Sequence, residues 1–413
     1  MNEICGDFVV VNPYVWLSSA CIRFTDRIKD IYTLSGSGDA EGGLRVITHG
    51  MASTHTHLGL YPIRSTVAAG LDLDSWVKGK AWRWERFVRE NPEVSYLSSL
   101  IAITEMLSSG VTTIADMHFN EELVYRAVSE IGVKADLSVA IMDGGVFDSY
   151  EEALEENLKL LKAVQDADVK VRLGPCTPRL LTPKQFREII TLAKQLGIGI
   201  HTHLAEVRED IEWLKSRYSI SLREFVDLVG LRDVDSIVAH AVWAEGVIDF
   251  LSSSNITVSH SPRSNILLGD GKAPVRRYLR HGVNVSLGID VAPTYDLRDE
   301  LKTYVSLHYP GEGPSDTLEA LRLSTINAYR GLGFGSGELS LGEVADLVVW
   351  SITDPLVDDP LAQVVWGSSR VEEVYVSGRL VLREGRPTAS SVDLPKVREK
   401  LHEYLREFLR LQP

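Results

Sequence analysis

The stretch Ser53-Thr54-His55-Thr56-His57-Leu58 is the point from which this chain is read. On an extended segment, side chains alternate with period two, so His55 and His57 project to the same side. A neutral imidazole is the commonest protein metal ligand, and one strand here offers two nitrogens to a single ion. Taken alone the pair is a weak signal. Its weight depends on what later strands bring to the same place.

From about residue 49 to about residue 335, strand-like runs alternate with helix-period segments. Eight strands are expected, at 50–57, 112–116, 135–141, 170–175, 199–203, 236–240, 257–260 and 284–290. Helices are expected between them, at 96–108, 151–165, 183–196 and from 210 onward, with Thr182-Pro183 as an N-cap and first-turn pair. Eight such β/α units predict a closed parallel (β/α)8 barrel of the TIM type, with an open doubly wound sheet as the alternative. Residues 8–11, 15–17 and 31–34 read as short strands ahead of the barrel, with turn material at Ser35-Gly36-Ser37-Gly38. Residues 343–350 and a hairpin over 374–382, turning at Ser377-Gly378, follow it. The division expected is therefore 1–48 and 343–413 as a small β domain built from both chain ends, around a barrel at 49–342. The second part includes a closing amphipathic helix over 397–411.

Bulk properties narrow the classes. The chain has 413 residues, enough for a barrel of about 250 residues and a partner domain. Hydrophobic residues make up 44% and charged residues 24%, as in ordinary globular proteins. With 43 basic against 57 acidic residues the net charge is −14, which gives no counterion-release gain on nucleic acid. No apolar run reaches the length of a membrane span, and the first residues lack the pattern of a signal peptide. Cys5, Cys21 and Cys176 are too few and too scattered for a disulfide framework or a cysteine zinc site, which reads as a reducing, cytoplasmic setting.

In a barrel of this type the active site lies at the C-terminal strand ends. The first such end carries His55 and His57, the fifth His201, His203 and Glu206, the sixth His240, the seventh His260 and the eighth Asp290. Six of the 11 histidines thus sit at or near strand ends. Singly, each has an ordinary explanation: a satisfied buried histidine, a helix N-cap, a solvated carboxylate. His281, ahead of Gly282, reads as a residue favoured by a helix C-terminus. Jointly, polar residues at matching ends point to a site.

The segments 54–58, Ser109-Gly110-Val111-Thr112-Thr113-Ile114-Ala115-Asp116-Met117, His203-Leu204-Ala205-Glu206, Ala239-His240-Ala241-Val242-Trp243, Ser259-His260-Ser261-Pro262-Arg263-Ser264-Asn265 and Ser286-Leu287-Gly288-Ile289-Asp290 resemble the amidohydrolase superfamily. The branch is that of methylthioadenosine/adenosylhomocysteine deaminases, related heterocycle deaminases and triazine chlorohydrolases. Ala345-Asp346-Leu347-Val348-Val349 and Val376-Ser377-Gly378-Arg379 resemble its closing β domain. The resemblance implies one divalent ion on His55, His57, His203 and Asp290, with Glu206 and His240 acting on the reacting groups and Asp290 sharing in proton transfer. Three histidines and a carboxylate suit zinc, with iron as the alternative, and leave a position for water. His201 is expected behind the ligands. The fourth strand end, Leu173-Gly174-Pro175-Cys176, lacks the lysine that a second metal would need.

The chain also departs from the branch. His49-Gly50 replaces a proline-glycine entry, Cys176 stands where adenosine-type deaminases carry a histidine, and Ala153 stands where they carry an arginine. The loop after Asp290 lacks their asparagines. Glu85 matches the carboxylate that holds ribose hydroxyls, and Trp82, Trp84, His118 and Cys176 are expected to face the substrate with it. The expectation is a homo-oligomeric hydrolase acting on C–N bonds, releasing ammonia from a purine-like base, nucleoside or other aminated heterocycle. Two alternatives stand: chloride or alkylamine displacement from a triazine-like ring, and a non-catalytic scaffold. Loss of ligands would mark the scaffold, and all four are present.

Overall fold

The computed structural model describes residues 1–35, 43–307, 315–353 and 359–411. The expected turn at Ser35-Gly36-Ser37-Gly38 lies outside them beyond Ser35. Strands β1 (Asn2–Asn12), β2 (Val15–Phe24), β3 (Ile28–Thr33) and β4 (Leu44–His49) open the chain. The barrel strands are β5 (Met51–Thr56), β6 (Val111–His118), β7 (Lys134–Ile141), β8 (Val169–Val171), β9 (Gly174–Pro175), β10 (Ile200–Leu204), β11 (Ser236–His240), β12 (Ile256–His260) and β13 (Asn284–Leu287). After them come β14 (Leu347–Ile352), β15 (Ser369–Val376), β16 (Arg379–Arg383) and β17 (Arg386–Pro387).

Strands β5 to β8 pair in parallel, as do β10 to β13, and β9 continues the fourth position against β7. Two parallel bridges join these arcs, Leu173 to Ile200 on one side and Thr56 to Asp290 on the other, so the sheet closes on itself. Every residue of β6 and β7 is buried, as befits strands covered on both faces. The interior carries a hydroxyl layer in which Thr54 Oγ1 lies 2.6 Å from Ser259 Oγ and 2.7 Å from Ser286 Oγ. Below it, Ala52, Ala115 and Ile237 pack with Tyr329, Leu332 and Phe334 from the segment around helix Ala328–Leu332. This apolar plug closes the end opposite the site.

The chain termini build one eight-stranded sheet in the order β17-β16-β15-β14-β4-β1-β2-β3. Strand β4, unnoticed in the sequence, runs into β5 with Gly50 alone between them. A Cβ at Gly50 would stand 2.0 Å from Thr112 Oγ1, so only glycine lets the two strands join here. The Ser377-Gly378 turn has φ of 48° and 72°, the left-handed pair of a two-residue hairpin. Helix Leu394–Arg410 ends the described chain, with Phe408 edge-on to Trp84 at 5.0 Å.

The cysteine reading needs correction. Cys5 and Cys21 form a disulfide. Sixteen residues separate them, but the β1–β2 register places them directly opposite, which spacing alone could not reveal. Among the described residues no helix is long and apolar enough to cross a membrane.

The β sheet and the barrel meet at a buried ion pair. Lys134 Nζ donates to Asp346 Oδ2, and the Ser377 N–H donates to Asp346 Oδ1 at 2.8 Å. Removing one partner strands the other charge in the interior, which typically costs about 3–5 kcal/mol. K134M should therefore lower unfolding free energy by about that amount, with K134M/D346L recovering much of it. Urea denaturation checks this, and a K134M protein as stable as wild type would refute it.

Candidate active site

Strand β5 delivers His55 from its last turn of pleat and His57 one residue past its end, while β10 delivers His201 and His203. His240 ends β11, and Asp290 lies three residues beyond β13. His240 and Asp290 hold left-handed backbone, φ 68° and 56°, a conformation that costs about 1–3 kcal/mol at non-glycine residues. Neighbours enforce it: Asp290 N–H donates to His55 O at 2.9 Å, Ser264 Oγ donates to Asp290 Oδ2, and His240 Nδ1 lies 2.8 Å from Asn265 Oδ1.

Each of the three histidines expected as ligands is tied through Nδ1 and aims Nε2 inward. His57 Nδ1 donates to Met117 O at 2.5 Å and His203 Nδ1 to Cys176 O at 2.9 Å. His55 Nδ1 lies 2.8 Å from His201 Nε2, and His201 Nδ1 lies 3.3 Å from Ser138 Oγ. His201 thus lies buried directly behind His55. Asp290 Oδ1 stands 3.1 Å from His57 Nε2 and 3.4 Å from His55 Nε2, and His57 Nε2 stands 3.4 Å from His203 Nε2. These spacings suit donors that would share one divalent ion, with His203 joining the His55, His57 and Asp290 group through His57. His55 Nε2 is buried without a hydrogen-bond partner, as an ion-facing nitrogen would be.

Electrostatics agree. Burial holds His55 down at about 4 and His203 well below the imidazole range, so both are neutral, as ligands must be. Burial also opposes charge on His57, but Asp290 outweighs it and lifts His57 to about 9. That proton is the one a divalent cation would displace. Glu206 lies beside the cage, its carboxyl 3.5 Å from His240 Nε2 and raised well above the usual range by burial, then by Asp290 and Asp210.

His57, His203, Glu206 and Asp290 floor a cavity of about 570 Å³, with His55 and His240 just behind them. Its walls include Trp82, Glu85, His118 and Cys176, which the structure brings together as expected. Burial pushes Glu85 up to about 7, with His118 Nε2 3.8 Å away. Trp84 is a correction. It is fully buried, packs against Phe87 and Phe408, and donates Nε1–H to Gly59 O at 2.8 Å. Residues 82–90 form a helix, so positions 82 and 85 share a face while 84 turns to the core. His260, at the end of β12, packs near Tyr304 and does not line the cavity. His281 caps helix Val275–Arg280 at its C-terminus.

Two residues escaped the sequence reading. Arg179 lines the cavity, with its guanidinium engaged by Asp74 at 2.7 Å and Asp210 at 2.8 Å. Asp270 is buried within 4.8 Å of both Glu206 and His240. Its only sequence signal is an acid between two glycines, Gly269-Asp270-Gly271.

Residues 46–381 match the amidohydrolase family. The chain belongs to that family. Among curated amidohydrolase relatives, the 5'-deoxyadenosine deaminase of Methanothermobacter thermautotrophicus is 31% identical over 381 residues, spanning 87% of this chain and 88% of its own. The 5-methylthioadenosine/S-adenosylhomocysteine deaminase of Moorella thermoacetica is 33% identical over 363 residues, spanning 84% and 83%. A zinc-bound adenosine deaminase from Xanthomonas campestris superposes with a TM-score of 0.88 at 21% identity, covering 99% of this chain and 98% of its own. That last likeness extends the shared fold to nearly the full length.

Because His201 orients His55, H201A should weaken metal retention about 10–100-fold while leaving the four donors in place. Chelator competition followed by elemental analysis measures it; retention equal to wild type would remove His201 from this role.

Proposed function

We propose that this amidohydrolase is an aminohydrolase that releases ammonia from an adenosine-type nucleoside carrying a short, uncharged 5' group. The observation that carries the reading is the cage of His55, His57, His203 and Asp290 with Glu206 and His240 at its rim, placed at the floor of a pocket that also holds Glu85. Relatives at 31% and 33% identity with deaminase activities support it.

His55, His57, His203 and Asp290 would hold a divalent ion, zinc or alternatively iron, which would supply Lewis-acid activation of water near neutral pH. Glu206, with its raised proton affinity, delivers a proton to the ring nitrogen and is replenished with one from the attacking water. His240, held through Nδ1 by Asn265 Oδ1, presents its Nε2 beside Glu206, where it helps orient the attacking oxygen. Asp290 Oδ1 accepts from the same oxygen and steers attack to the amine-bearing carbon. The second proton of that oxygen passes through Asp290 to the amine, which leaves as ammonia as the C–N bond breaks and the carbonyl forms.

Trp82 provides a flat apolar wall for a ring, and Glu85 an acceptor for ribose hydroxyls. The outer cavity is lined by Leu60, Leu73, Trp76, Val77 and Leu180, with Asp74, Glu209 and Glu212 near its exit. The two cations in that wall are already engaged, Arg179 by Asp74 and Asp210 and Lys78 by Asp74. A zwitterionic amino-acid tail finds no vacant cation there and meets carboxylates instead. The proposed setting is cytoplasmic, and the assembly a homo-oligomer, which sedimentation would test.

Two outcomes are expected. E206Q should retain one ion per chain yet lose about 10²–10⁴ in kcat, since shape is kept and proton transfer is lost. Elemental analysis alongside ammonia release decides this, and loss of the ion with activity restored on reconstitution would make Glu206 a ligand instead. Second, kcat/KM for 5'-deoxyadenosine or methylthioadenosine should exceed that for adenosylhomocysteine by about tenfold or more, since an unpaired buried charge is costly. Preference for adenosylhomocysteine would overturn the account of the outer pocket.

A further inference from the structure

Asp270 takes no part in the chemistry assigned above, yet its placement is tightly determined. It sits on the turn after helix Pro262–Leu267, between Gly269 and Gly271, whose φ values of 76° and 117° favour glycine. Its N–H donates to Asn265 O at 2.9 Å, and its carbonyl accepts from Trp243 Nε1 at 2.8 Å. A Cβ on Gly271 would come within 3.2 Å of Val242, so the turn is pressed against the segment that follows β11. The Asp270 side chain is 2% exposed, and neither carboxyl oxygen has a hydrogen-bond partner among the described residues. One of those oxygens, a Glu206 oxygen and a His240 ring nitrogen lie within 4.8 Å of one another. His240 Nε2 is likewise buried without a partner. Asp270 does not line the substrate cavity, so any influence on the reaction passes through Glu206 and His240.

We propose that Asp270 is a positioning residue for deamination: its carboxyl group and that of Glu206 hold one proton between them beside His240, and this is the proton Glu206 delivers to the ring nitrogen. The inference rests on the deaminase reading. Two carboxyl groups within 4.8 Å and shielded from water oppose each other's ionisation, which favours a proton on the pair. The groups that face Asp270 are Glu206, His240, Asp290 and Asp210. Burial first, then the Glu206 charge, pushes Asp270 up to about 9, while His240 acts in the opposite sense. One proton leaves the pair as the ring N–H bond forms, and the pair regains one from the attacking water as its O–H bond breaks. The proton count on the pair is therefore restored within the step.

The test compares wild type, D270N, E206Q and D270N/E206Q, each loaded with metal, by ammonia release from 5'-deoxyadenosine across pH, with ion content and thermal midpoint measured alongside. D270N keeps the shape of the carboxyl and removes its capacity to share a proton. It should retain ion and fold, hold KM within about twofold, and lose about 10–100-fold in kcat. The high-pH limb of its kcat/KM profile should move to lower pH by about one unit, because a lone Glu206 gives up its proton sooner than the pair does. In the E206Q background, D270N should cost no more than about twofold further, since its effect runs through Glu206. An unchanged D270N profile, an equal loss in both backgrounds, or a loss in step with ion content would each overturn the proposal. So would a second ion equivalent that D270N abolishes, which would make the cluster a cation site. If D270N does not fold, D270S carries the same comparison, and failure of both to fold makes Asp270 structural and ends the proposal. A wild-type protein that releases no ammonia from any adenosine-type nucleoside refutes the deaminase reading itself, a result distinct from all of these.

Discussion

A single backbone contact ties the architecture to the chemistry. Asp290 N–H donates to His55 O at 2.9 Å, and this bond belongs to the bridge that closes the barrel between β13 and β5. The residue that completes the barrel wall thereby also turns its carboxylate onto His55 and His57. Closure and site assembly are one event, so the cage can form only when both ends of the barrel sheet have met. The left-handed backbone at Asp290 is the cost of that turn. It is sustained because Ser264 and the β5 carbonyl hold the residue from two sides.

Around that contact the protein concentrates buried polar groups that would be untenable singly. His55, His201, His203, His240, Glu206, Asp270 and Asp290 are all buried in one region. In low dielectric each charged form is penalised, and the penalties are resolved by partners: Nδ1 atoms by carbonyls and hydroxyls, Asp290 by imidazoles. The Nε2 atoms and a few carboxyl oxygens are left facing one another. This is the polarity an ion, a water and a ring nitrogen require. Elsewhere in the barrel the buried charges are paired, as Lys134 with Asp346 and Arg172 with Asp136, so the unpaired polar atoms described here gather at the C-terminal end.

The terminal sheet contributes differently. It touches none of the reacting groups, but the Lys134–Asp346 pair and the uninterrupted passage from β4 through Gly50 into β5 fix where the first ligand strand starts. A one-residue slip in that strand would turn His55 and His57 to the wrong face. The length of the terminal sheet and its tight junction therefore bear on catalysis through register alone.

Local pattern was enough to read the barrel, the histidines at its strand ends and the hairpin at Ser377-Gly378, because alternation, helix caps and paired histidines are short-range signals. Helix Pro183–Leu196 follows from Thr182-Pro183 and its apolar period. Other features were hidden for identifiable reasons. Trp84 looks like a partner of Trp82 until the segment proves helical, when two positions apart means opposite faces. The Cys5–Cys21 bond depends on an antiparallel register set by the short turn at Pro13-Tyr14, which brings cysteines sixteen positions apart face to face. Asp270 becomes notable only when the fold carries its turn against Glu206 and His240. By itself, then, the sequence determined which residues could bind metal and which strands would bear them, since both rest on neighbours along the chain. Tertiary structure alone decided which side chains meet and which polar atoms stay unpaired, because those depend on closing loops whose ends lie hundreds of residues apart.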